Sequence, residues 1–160
     1  MMASLHAAVG ISTSLVFYKR VEAEPKKIKS YITPLLLNVA LHGVMDIFPH
    51  SHIIPAIPDI IIALLIPALL IPFVKKKYLT LLIVCYFGSI LPDVIDLGIF
   101  RILGFGEFRI FPWHFIEIYS VLNTIYTNQF INVLFDILVF LTCFVLILWK
   151  RKDAQLMFCV

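Results

Sequence analysis

The stretch Leu41-His42-Gly43-Val44-Met45-Asp46-Ile47-Phe48-Pro49-His50-Ser51-His52 sets three imidazoles and a carboxylate at the end of an apolar run that begins near residue 30. A helix places His42 and Asp46, four apart, on one face. Pro49 stops that helix, and His50 and His52 follow just beyond it. Imidazole nitrogen and carboxylate oxygen form the usual zinc donor set. The stretch therefore reads as a membrane helix that ends in a metal-binding group.

Composition supports the membrane half of that reading. The 160 residues are 61% hydrophobic and only 14% charged, with a mean hydropathy of +0.99. Soluble domains are nearer one-half apolar and one-quarter charged. The expected fold is an all-α polytopic transmembrane bundle, a single integral membrane domain over residues 1–160. Its five spans fall at about 3–18, 30–48, 53–74, 78–100 and 130–149, with an interfacial or half-spanning helix at about 113–127. Pro55, Pro58, Pro67 and Pro72 predict a kinked or partly unwound third span. The net charge of +3 is no nucleic-acid signal in such a chain. The partners it implies are membrane lipids and a small-molecule or lipid substrate. Cys85, Cys143 and Cys159 show no metal spacing, and the first two lie in apolar runs as small hydrophobes.

Charge placement gives an orientation. No basic residue precedes the first apolar segment, against the pattern of a cleaved signal peptide. Lys19-Arg20, Lys75-Lys76-Lys77 and Lys150-Arg151-Lys152 follow spans one, three and five. Five spans put all three clusters on one side, which the positive-inside rule makes cytoplasmic. The expected location is a prokaryotic inner membrane with the N-terminus outside and the C-terminus in the cytoplasm. In that arrangement His6, His42, Asp46, Asp59, Asp93, Asp96, His114 and Glu117 all fall in the outer half of the bilayer. A charge at the bilayer centre costs about 2.5–3.5 kcal/mol on insertion scales. No lysine or arginine in the outer half of a span pairs with these acids, so a divalent cation or protonation must offset them.

The expected metal ligands are His6, His42, Asp46, His52, Asp93, Asp96 and His114, with zinc the first candidate. Each has a simpler alternative. His6 suits an interfacial position, and His42 with Asp46 suits an interhelical hydrogen-bonded pair. His50 and His52 suit a solvated loop. Asp59, Asp93 and Asp96 follow prolines and suit helix caps. His114, between Trp113 and Phe115, suits an aromatic belt or a supporting role behind a ligand.

Three elements together resemble a known family: His6-Ala7-Ala8-Val9-Gly10, the Gly-x-x-Leu-Pro-Asp-x-x-Asp element from Gly88 to Asp96, and the later His114. They are similar to those of the membrane-bound metal-dependent hydrolases, small polytopic bacterial and archaeal proteins. That family's later element usually carries more than one histidine with an arginine, whereas here His114 stands with Arg109 upstream. The spacing His42-x3-Asp46-x5-His52 also resembles an element of zinc-dependent phospholipase C and the zinc nucleases, as chemical analogy. The resemblance implies hydrolysis of an ester or phosphoester, with a lipid headgroup as one substrate. Asp59, Asp96 and Glu117 are then the candidate proton acceptors. The competing classes are an ion or proton transporter, in which Asp136 would continue the path, and a structural membrane protein.

Overall fold

The structure, a computed structural model, describes residues 3–25, 27–48, 55–104, 108–114 and 128–158. Its regular elements are all helical, joined by one isolated antiparallel bridge between Val74 and Phe158. In chain order they are α1 (Ala3–Ala23), α2 (Lys29–Ile47), α3 (Ala56–Leu70), α4 (Lys76–Asp93), α5 (Gln129–Trp149) and α6 (Arg151–Met157).

The boundaries follow local chemistry. α1 runs past the expected end at residue 18 because nothing from Lys19 to Ala23 breaks a helix. Pro55 precedes α3, and the expected unwinding falls at its far end, where Pro72 sits in a 3-10 turn over Ile71–Phe73. α4 passes into a π-helical stretch, Val94–Ile99, and one further helical turn, Phe100–Ile102. Asn128 caps α5 by accepting hydrogen bonds from the Phe130 and Ile131 amides. Of the expected interfacial helix, only its beginning is described, where Pro112–His114 forms a 3-10 turn.

α1 packs against α2, α3, α4 and α5 and is the central helix. Its buried residues include Ser4, His6, Gly10, Ser12, Thr13 and Ser14, an unusual core for a water-soluble bundle. The hydroxyls turn back onto their own helix: Ser12 donates to the Ala8 carbonyl, Thr13 to Gly10 and Ser14 to Ile11. Helices packed in an apolar surround use small residues for close approach in this way. A Cβ on Gly10 would stand 2.8 Å from the Cys85 carbonyl oxygen of α4. α2 meets α4 as closely, since a Cβ on Gly88 would lie 2.7 Å from the Leu35 carbonyl oxygen. Inside α2, Asn38 Nδ2 donates to the Pro34 carbonyl and Asn38 Oδ1 accepts from Thr13.

The outer faces are the reverse. Leu138, Leu141, Phe144 and Val145 of α5 are exposed, as are Ile60, Ile61, Leu64 and Leu65 of α3. Among the described residues two helical stretches are long and apolar enough to cross a membrane, Lys76–Ile99 and Gln129–Trp149, and Ile57–Phe73 is a shorter apolar helix.

The two ends of the bundle differ in charge. At one end Tyr18, Tyr78, Val74 and Met157 share a core, and α6 folds back onto it. Lys75 N–H donates to the Met157 carbonyl, and Tyr18 Oη donates to Asp153 at 2.6 Å. Lys19 and Lys150 both lie within ion-pair distance of Asp153, while Lys77 pairs with Glu22. His6 lies about 20 Å from this end along α1, twelve residues before Tyr18.

Candidate metal centre

α2 brings His42 and Asp46 to one face, and both are buried. His42 Nε2 stands 2.9 Å from Asp46 Oδ2 and 3.3 Å from Oδ1 of Asp93, which α4 supplies at its last residue. The 3-10 turn delivers His114, whose Nε2 also stands 2.9 Å from Asp46 Oδ2 and 3.3 Å from Asp93 Oδ1. One ligand atom from each of the four side chains fits within a span of 4.8 Å. A tetrahedron with bonds of about 2.1 Å has edges of roughly 3.4 Å, so separations of 2.9–3.3 Å, which are also those of hydrogen bonds, bring the four side chains close enough to share an ion.

The outward nitrogens are fixed as a metal site requires. His42 Nδ1 lies 2.6 Å from the Ser89 carbonyl oxygen, which only accepts, so Nδ1 carries the proton. In neutral imidazole the Nε2 lone pair then points at the two carboxylates. His114 Nδ1 lies 2.8 Å from Asp96 Oδ2 and its Nε2 2.9 Å from Asp46 Oδ2, so a carboxylate flanks the ring on each side; with the proton on Nδ1, Nε2 faces the shared centre. Imidazole ligands held from behind by a carbonyl or carboxylate are the usual supporting arrangement in metal proteins. Neither Asp93 oxygen has a hydrogen-bond partner, and His42 Nε2 has none either. Two carboxylates facing two imidazole nitrogens in a dry site need positive charge between them.

Asp96 does not join the four. It is fully buried and accepts from the Ile110 and Phe111 amides, each at 3.0 Å, as well as from His114. Expected as ligand and proton acceptor, Asp96 holds the turn bearing His114 through these three contacts. The cause is local: the wider π-helical turn rotates Asp96 off the face that presents Asp93. Asp59, expected as a proton acceptor, serves α1 instead. It accepts from the amides of Ala3 and Ser4 and from the Ser4 hydroxyl, capping a helix other than its own. His6 is fully buried in the turn that follows; it stacks on His42 at 4.0 Å and sets Nε2 3.2 Å from Asp46 Oδ1. His50, His52 and Glu117 lie outside the described residues.

Two participants escaped the sequence reading. The Ser89 carbonyl is a backbone group and leaves no residue-type signal. Gly43 accommodates Trp113: a Cβ there would meet the indole at 2.6 Å, so the absent side chain lets the 3-10 turn close over His42.

The chain is thus an all-helical protein carrying a buried His/Asp group able to hold a metal ion. No protein-family model, curated protein or solved structure matches it.

Proposed function

We propose that this chain is a polytopic membrane protein of five spans, α1 to α5, that binds a divalent metal, zinc first among candidates, near its outer face and hydrolyses an ester or phosphoester there. The single observation that carries the metal reading is the convergence of His42 Nε2, His114 Nε2, Asp46 Oδ2 and Asp93 Oδ1, with the far nitrogen of each histidine already engaged. The donor set is nitrogen and oxygen without thiolate, which suits zinc, manganese or iron over copper(I). Exposed apolar faces on α3 and α5 support the membrane reading. The lysines gathered at the end remote from the site support the orientation with that end in a prokaryotic cytoplasm.

When bound, the metal supplies an acidified water and a Lewis acid for the scissile oxygen. The chain's own residues must then leave that water a place and take its proton. His42, His114, Asp46 and Asp93 would hold the ion, and Asp93, at the last residue of α4, would take a proton from the attacking water and return it to the leaving alcohol as the ester C–O or P–O bond breaks. The lipid-facing exterior favours a lipid headgroup ester as substrate.

The completed four-ligand shell also favours a second reading, a cation transporter. Along α2 the buried polar side chains Ser30, Asn38, His42 and Asp46 fall four or eight residues apart, from one end of the helix to the other, with Pro34 between the first two. Metal analysis of detergent-purified protein beside His42→Ala tests the shared premise, and substoichiometric metal in the wild type removes both readings. Chelator-sensitive release of headgroup from phospholipid vesicles identifies the hydrolase. Zinc flux into protein-loaded liposomes without such release identifies the transporter.

A further inference from the structure

Asp46 uses its two oxygens differently. Oδ2 faces His42 and His114 within the four-ligand group, while Oδ1 faces His6 Nε2 at 3.2 Å. We infer that Asp46 is a bridging carboxylate and that a second divalent cation binds between Asp46 Oδ1 and His6. This rests on the metal reading above and extends it from one ion to two.

Three observations carry the inference. The His6–Asp46 separation matches the edges of the first group, 2.9–3.3 Å, and so fits two ligands of one ion with bonds of about 2.1 Å. His6 is fully buried one turn into α1, just past the end that Asp59, itself 2% exposed, caps through the Ala3 and Ser4 amides and the Ser4 hydroxyl. His6 also lies flat on His42 at 4.0 Å, which sets its edge beside the first site and not across the bundle from it.

The charge count agrees. Asp46, Asp93 and Asp96 bring three negative charges. One divalent ion leaves the group at −1, whereas two leave it at +1, a site that attracts hydroxide or a phosphoester anion. Among the described residues the second ion would take His6 and Asp46 as its ligands. Paired ions about 3.5–4 Å apart are the arrangement that clamps the attacking and leaving oxygens of a phosphoester. The substrate class that follows is an anionic phosphoester.

The test is metal stoichiometry of the full chain in detergent, with Mn2+ as the spectroscopic probe. Wild type should bind two equivalents per chain, and its Mn2+-loaded form should show an exchange-coupled electron paramagnetic resonance signal. His6→Ala should retain one equivalent and lose the coupling, and Asp59→Asn, which loosens the α1 cap without touching a ligand, should weaken the second equivalent about tenfold or more. One equivalent in the wild type, or two coupled ions surviving in His6→Ala, overturns the second site and leaves the first standing. No bound metal in the wild type overturns both. The wild-type signal decides the matter even where a variant fails to fold.

Discussion

Replacing Asp96 by asparagine separates a clamp from a ligand. The carboxylate takes the Ile110 amide on Oδ1 and both the Phe111 amide and His114 Nδ1–H on Oδ2. An amide has one oxygen, and its nitrogen cannot accept. In the better orientation it keeps the Oδ2 pair and turns its NH2 toward the Ile110 amide, leaving a buried donor unsatisfied at a cost of about 1–3 kcal/mol. The bond to His114 also falls from charge-assisted to neutral, roughly halving its strength. Outer-shell changes of this kind weaken metal binding 10- to 100-fold, or about 1.4–2.8 kcal/mol at 1.4 kcal/mol per decade. The assay is competition for zinc between purified protein and a chromophoric chelator, comparing wild type, Asp96→Asn and His114→Ala. The expected outcome is a Kd raised by one to two decades in Asp96→Asn with the number of sites unchanged. A wild-type Kd refutes the clamp. Loss of a full equivalent makes Asp96 a ligand, as its sequence position suggested.

Two further outcomes follow from the packing. Gly10→Ala drives a Cβ to within 2.8 Å of the Cys85 carbonyl and against Ser89, so it should cost about 1–3 kcal/mol and lower the melting temperature in a detergent thermal shift. Gly98→Ala, whose nearest neighbour is 3.9 Å away, should not. At the lysine-rich end the Tyr18 hydroxyl, ahead of Lys150 and Lys19, holds the Asp153 carboxyl below its ordinary pKa. The stabilisation is therefore present above the unfolded value of about 3.9 and is lost as pH falls through the lower folded one. Protection factors of the amides of residues 151–157, corrected for intrinsic exchange at each pH, should fall below that window, and Asp153→Asn should show the lower protection already at neutral pH.

The parts of the site legible in sequence were those set by helix periodicity or by burial without a partner. His42 and Asp46 face one way because they are four apart, and Asp93 and His114 stood out as ionisable groups in apolar runs with no cation beside them. What sequence could not show was set by conformation or by contacts between distant segments. The π-helical turn that parts Asp96 from Asp93 has no residue signature here. Asp59 reads as a cap on its own helix, yet it closes α1, 55 residues earlier. The helices themselves were legible because prolines, Asn128 and the lysine runs punctuate them. α1 and α2 are less uniformly apolar than α4 and α5 because their polar positions face α4 and each other, so among the described residues hydropathy marks two helical stretches as long and apolar enough to cross a membrane.

Pro34 has no N–H to offer the Ser30 carbonyl one turn back, so α2 lacks a rung of its ladder two turns, about 12 Å, before His42. His42 and Asp46 lie beyond that missing rung, whereas Asp93 and His114 are mounted on α4 and the turn beside it. The group is thus assembled from two separately built supports, and the Ser89 carbonyl that holds His42 Nδ1 is the strut between them.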